Sequence, residues 1–189
     1  MNPNDGTVQL RFEGIDALEK DAKEPFASNA TSKNLELLVL SSPTDESDCY
    51  ILANQIGSNA RPICFVFAGT ATEDDGSSIF LDVERMKQSV NFGLIESGGV
   101  YPLFYNTLFG GLRSAFTSVT FVARESGLGL WPRDRINAGV TWGGADPLPN
   151  VDPIFPKLWR RLKKYTQNRD FRDESDSLVA FIDFLEVRM

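Results

Sequence analysis

Hydrophobic and polar residues alternate over positions 7–12: Val8, Leu10 and Phe12 fall on one face and Gln9 and Arg11 on the other, the period-2 pattern of a half-buried strand. Gly14 and Ala17 then allow a tight bend, after which Asp16 and Glu19 stand near the strand end that carries Arg11. Residues 20–34 are polar, hold one proline and several capping residues, and read as a loop entering a helix. Leu35, Leu37, Leu38 and Leu40 either close that helix or begin a strand. A turn cluster at 41–48 leads to a β-hairpin with strands at about 49–54 and 61–68. The second of these is apolar at almost every position from Pro62 to Phe67, which predicts a strand buried on both faces or closed into a barrel. Glu73-Asp74-Asp75-Gly76 lacks the ligand spacing of a calcium loop and reads as a solvated turn, followed by a short strand at 78–81.

From residue 82 the period becomes helical. Val83, Met86, Val90 and Leu94 recur over 82–97, with Asp82 as cap and Gly98-Gly99 as stop. A short extended piece at 100–104 is broken by Pro102. A longer helix runs from a cap at Asn106 or Thr107 to about Ser126, with Leu108, Leu112, Phe116, Val119 and Val122 in one stripe. Gly127 ends it, and Leu128-Gly129-Leu130-Trp131-Pro132 is expected to tuck a tryptophan back against the domain. Residues 136–153, with Trp142, read as a linker, followed by helices at 154–165 and 174–188. The first of these carries Lys157, Arg160, Arg161, Lys163 and Lys164 around Leu158, Trp159 and Leu162. Such a face suits a phosphate backbone, an anionic membrane, a partner or plain solvent.

Composition narrows the chemistry. The 189 residues fit one domain, or one of about 140 residues with an extension. No apolar run approaches the roughly 20 residues of a membrane span, and the first 20 residues show no signal core, so the chain as written is expected to stay in the cytoplasm. Cys49 and Cys64 lack metal-binding spacing and read as a buried pair of free thiols. Histidine is absent, which excludes imidazole metal sites, Ser-His-Asp triads and Cys-His pairs. The net charge of −7 argues against a dedicated nucleic-acid binder but leaves room for a local basic cleft.

Arg11, Asp16 and Glu19 are the residues with chemistry to offer. A guanidinium can hold a phosphate bidentately while one carboxylate binds a metal and the other moves a proton. The same trio also fits a surface ion pair after a turn. Arg61, at the mouth of the apolar strand, is either a second such cation or a hairpin-end arginine in water.

Three motifs in this order resemble the staphylococcal nuclease-like (thermonuclease) family. The first is Arg-x-x-x-[Ile/Val]-Asp-[Ala/Thr]-Pro-Glu, matched by Arg11, Ile15, Asp16, Ala17 and Glu19, with Leu18 in place of proline. The second is a Gly-Arg pair opening an apolar strand, matched by Ala60-Arg61 before Pro62. The third is Gly-x-Gly-[Leu/Ile]-Trp, matched by Gly127-Leu128-Gly129-Leu130-Trp131. The resemblance covers residues 7–135 and implies an α+β fold: a small OB-fold β-barrel packed with helices, here with a C-terminal helical extension. The domain boundary then falls between 1–135 and a linker and helical extension at 136–189.

What the resemblance implies about function is calcium-dependent hydrolysis of DNA or RNA. Glu19 would be the general base, Arg11 and Arg61 the cations on the phosphate, and Asp16 and the Ala17 carbonyl the calcium ligands. The family's second calcium aspartate lies in a Gly-Asp-[Thr/Ser] segment on an earlier hairpin. Asn4-Asp5-Gly6-Thr7 echoes it too close to Arg11 for a complete hairpin, so the first one or two strands are expected to be missing and Asp5 is a weak ligand candidate. The alternative is a non-catalytic OB-fold domain that binds nucleic acid or protein, although such a module has no need of Arg11, Glu19 and Arg61 together.

Overall fold

The apolar strand of the hairpin is the centre of the molecule. In the computed structural model, which describes residues 6–20, 24–57, 60–138 and 152–167, the hairpin comprises β3 (Cys49–Ile56) and β4 (Pro62–Ala68). Cys64, Phe65, Val66 and Phe67 are all buried, as a strand covered on both faces requires. β1 (Arg11–Phe12) pairs with β4 in parallel, setting Arg11 opposite Ile63 and Phe12 opposite Cys64, and β3 pairs with β4 antiparallel. A second, two-stranded sheet joins β2 (Ile15–Asp16) antiparallel to β5 (Tyr101–Pro102). The architecture is mixed α+β. Among the described residues these strands form two small sheets and do not close into a barrel.

Helices α1 (Phe26–Leu37), α2 (Val83–Met86), α3 (Val90–Glu96) and α4 (Gly110–Glu125) surround the sheets, and α5 (Pro156–Gln167) follows a single 3-10 turn at Trp131–Arg133. The main core gathers Phe65, Met86, Ile95, Leu112 and Phe116 between the three-stranded sheet and α2 to α4. Asn91, fully buried on α3, fastens that helix to β4 and to the turn after β1: its Nδ2 donates to the carbonyls of Glu13 (2.9 Å) and Cys64 (3.0 Å), and its Oδ1 accepts from the amide of Val66 (3.0 Å). All three hydrogen-bonding groups of the amide are thereby used.

Several expectations are corrected. Only Arg11 and Phe12 of the 7–12 segment join the sheet, and Val8 stays exposed, because β4 offers a partner only at that end. The loop expected to enter a helix does so at Phe26, where α1 begins, with Ala27 and Ala30 as its small buried face. Leu35 and Leu37 close this helix. Residues 78–81 make no strand, and Phe80 is exposed. The helix expected over 82–97 is two helices, because Ser89 caps the second: its Oγ accepts from the amide of Phe92 (3.2 Å) and donates to the Met86 carbonyl (2.6 Å). α4 starts at Gly110, and its buried stripe ends on Ala123 while Val122 faces water. Trp142 and the 174–188 helix lie outside the described residues, as does Asp5.

Gly129 of the third motif and Gly98, after α3, have a steric reason. Gly98 (φ +69°) and Gly129 (φ +56°) bring their backbones together, Leu130 N donates to Gly98 O at 3.0 Å, and a Cβ on Gly98 would lie 2.5 Å from the Leu128 carbonyl oxygen. This crossing buries Leu130.

The thiols differ from expectation too. Cys64 is buried and Cys49, at the start of β3, is exposed. Burial pushes the Cys64 thiol up to about 11, so it stays protonated and unreactive near neutrality. Iodoacetamide at pH 8 is expected to label Cys49 alone in the folded protein and both cysteines in urea. Peptide mass spectrometry reads the result, and native labelling of Cys64 would show that the β4 core opens.

Candidate functional site

Strand register brings the first three site residues together. Arg11 stands opposite Ile63 on the parallel neighbour, and Arg61 directly precedes that strand, so the two arginines come to one end of the sheet and line the same cavity. The chain then turns at Gly14 (φ +79°), where a Cβ would meet Phe116 Cε2 at 2.6 Å, so only glycine fits. β2 follows, delivering Asp16 opposite Tyr101. Leu18, in the position where the first motif usually has proline, is buried against Ala27, Tyr101, Leu130 and Trp159. That burial holds the exposed Ala17 and the half-buried Glu19 on either side of it.

Arg11, Asp16, Ala17, Glu19 and Arg61 all line one cavity of about 600 Å³, walled also by α1 and by Arg160 of α5. Among the described residues its charged side chains are four cations (Arg11, Lys20, Arg61, Arg160) against two carboxylates (Asp16, Glu19), a local excess of positive charge among these residues in a chain of net charge −7. The acidic total therefore does not describe the cleft.

The cations differ in their commitments. Arg11 Nη2 donates to the Tyr105 hydroxyl at 2.7 Å, with its guanidinium carbon 5.2 Å from the Tyr105 ring centroid. Arg61 is paired with no carboxylate among the described residues. Arg160 spans both acids: Nη2 donates to Asp16 Oδ2 (2.8 Å), and Nη1 donates to Asp16 Oδ1 (3.2 Å) and Glu19 Oε1 (2.7 Å). Burial raises the Asp16 carboxyl above its ordinary range, against the opposing pull of Arg160. Burial also opposes charge on Arg160, but its hydrogen bonds to Asp16 and Glu19 outweigh this and raise it.

Neither the known protein families nor the curated proteins compared with this chain contain a match to it. Function must therefore be argued from the cleft itself.

Three contributors escape the motif reading. Arg160 was visible as one cation of a basic helix, with nothing to place it 144 residues away on Asp16. Asn34, on α1, lines the same cavity with a buried Oδ1 that accepts no hydrogen bond among the described residues, and nothing in the polar stretch that enters the helix marks it out. Tyr105 has no sequence signal at all.

As a metal site the cluster offers hard oxygens: the Asp16 and Glu19 carboxylates, close enough to share one guanidinium, and the Ala17 carbonyl between them in sequence. These suit calcium or another hard divalent ion. Among the described residues no group of three or more acidic, cysteine or histidine side chains is assembled.

Proposed function

We propose that this protein hydrolyses phosphodiester bonds of DNA or RNA with the help of calcium, in the manner of the thermonuclease family. The observation that carries the proposal is the convergence of Arg11, Asp16, Glu19 and Arg61 on one locally cationic cavity. On this reading Arg11 and Arg61 hold the non-bridging oxygens of the scissile phosphate, and their fixed charges stabilise the extra negative charge of the pentacoordinate transition state. Glu19 takes a proton from water, whose oxygen forms the new bond to phosphorus while the bond to the leaving sugar oxygen breaks and that oxygen is protonated by solvent. Asp16 and the Ala17 carbonyl would hold the cation, which when bound lends positive charge to a phosphoryl oxygen. Asn34 Oδ1 is placed to accept from a nucleotide group entering the cavity.

The finer fold reading is an OB-type barrel. Its support is β1, paired with β4 on one flank and with no described strand on the other, the position at which a preceding hairpin would add. The basic stripe Lys157, Arg161 and Lys164 on α5 lies beside the cavity through Arg160 and provides for phosphates flanking the cleaved one.

The second reading, a non-catalytic nucleic-acid- or protein-binding module, is favoured by one observation: Arg160 neutralises both acids. Hydrolysis of single-stranded DNA, assayed with calcium and with a chelator, separates the two. Calcium-dependent cleavage is expected. Cleavage undiminished by the chelator refutes the metal role, and binding without cleavage moves the protein to the second reading.

A further inference from the structure

We infer that Arg160 is the resident counter-cation of the Asp16–Glu19 pair and that a divalent cation enters the cleft only by displacing it, which makes α5 the element that sets the site's metal affinity. The inference rests on the nuclease reading for its cation, and on the following geometry for everything else.

Arg160 engages three carboxylate oxygens, both of Asp16 and one of Glu19, at 2.7 to 3.2 Å. The two Asp16 oxygens are hard donors that the cation would use, and Glu19 Oε1 lies beside them. A guanidinium so placed puts a like charge where the ion must sit, so the two occupants compete. The Arg160 side chain is 41% exposed, while that of Asp16 is only 13% exposed, so the arginine can swing into water and the aspartate cannot follow it. No acidic residue lies on α5, whose sequence PKLWRRLKKYTQ carries five cations. Among the described residues, the carboxylates that hold Arg160 at the cleft are therefore those of Asp16 and Glu19.

The helix itself has no reason to leave. Trp159, Leu162 and Tyr165 are buried on its opposite face, packed in a cluster with Leu18 and Tyr101. Displacement is therefore a side-chain event on an anchored helix, with Asp16 and Glu19 fixed by β2 and Leu18. The apparent affinity for the ion is lowered by the fraction of molecules in which Arg160 has swung away.

The test is calcium titration by isothermal calorimetry on the full chain, without nucleic acid. Arg160→Gln is expected to bind calcium tighter than the wild type, by about tenfold if the open rotamer is populated near a tenth. Adding Asp16→Asn should abolish that gain, and a gain that survives Asp16→Asn overturns the inference because the ion is then elsewhere. Equal or weaker binding by Arg160→Gln also overturns it, while leaving the calcium reading of the cleft intact. If Arg160→Gln fails to fold, Arg160→Lys replaces it, since one ammonium lacks the planar fork that bridges both carboxylates. Tighter binding by that variant supports competition, and equal or weaker binding refutes it. Absence of calcium binding in every form refutes the competition and the calcium-dependent reading together.

Discussion

Glu19→Gln is expected to slow phosphodiester hydrolysis by on the order of 10²- to 10⁴-fold, the usual effect of losing a general base. The substitution keeps the shape of the side chain and an amide oxygen that can still accept from Arg160 Nη1, the 2.7 Å contact that Glu19 Oε1 makes. The Glu19 side chain is 39% exposed, so the fold has little at stake. The loss should fall on the catalytic rate and leave substrate affinity nearly unchanged, because Arg11 and Arg61 remain to hold the phosphate. Single-turnover cleavage measured beside circular dichroism checks this. A folded Glu19→Gln protein that cleaves at the wild-type rate would remove Glu19 from the mechanism. A matching loss in affinity would recast it as a binding residue.

The half of the site that lies close in sequence was legible because short-range geometry decides it. Arg11, Asp16 and Glu19 are brought together by one strand, one glycine turn and one short strand, and Gly14 is readable as the bend. Arg61 follows from the apolar run that begins at Pro62, since a strand buried on both faces takes a central place and brings the residue just before it to the sheet end. Arg160 was illegible for the opposite reason. Nothing in the pattern of α5 distinguishes its five cations, and the choice among them is made by the packing of Trp159 and Leu162, which rotates Arg160 toward Asp16.

The fold was legible where burial is continuous, and illegible where a single polar residue overrides periodicity. The β3–β4 hairpin matches its apolar pattern. By contrast, the helical period through Val83, Met86, Val90 and Leu94 survives in the structure although the helix does not, because Ser89 uses its hydroxyl as a cap in the middle of it. Asn91 is a polar residue inside an apolar run, and its role appears only once the Glu13 and Cys64 carbonyls and the Val66 amide are placed around it.

The boundary placed after Arg135 meets a different difficulty: residues 152–167 are not a free appendage. Arg133 and Arg135 both reach Asp152, at 2.7 and 3.2 Å, and the Arg135 amide donates to the Pro153 carbonyl at 2.8 Å. Ile154, Trp159, Leu162 and Tyr165 then complete a cluster whose other members are Leu18, Ala27, Tyr101 and Leu130. Glycine and proline in the preceding passage suggest a linker, but linker composition says nothing about whether the next helix docks.

Truncation after Arg135 is accordingly expected to destabilise the whole protein. Each large apolar side chain withdrawn from burial costs about 1.5–3 kcal/mol, and the total stability of a domain is about 5–15 kcal/mol, so the loss of Ile154, Trp159, Leu162 and Tyr165 together is of the same order as that total. The truncation also uncovers Leu18, the residue that holds Glu19 in place, so the site should fail with the cluster. Trp159→Ala isolates the packing part while keeping Arg160 in the chain. It should cost about 3–5 kcal/mol, or roughly 6–20 °C in Tm for a chain of this length, whereas Lys164→Ala on the exposed face should change Tm little. Thermal unfolding followed by circular dichroism compares the three. A truncated protein that melts at the wild-type temperature, or a Trp159→Ala protein indistinguishable from Lys164→Ala, would show that α5 rests on the surface and that the Asp16–Glu19 pair is positioned without it.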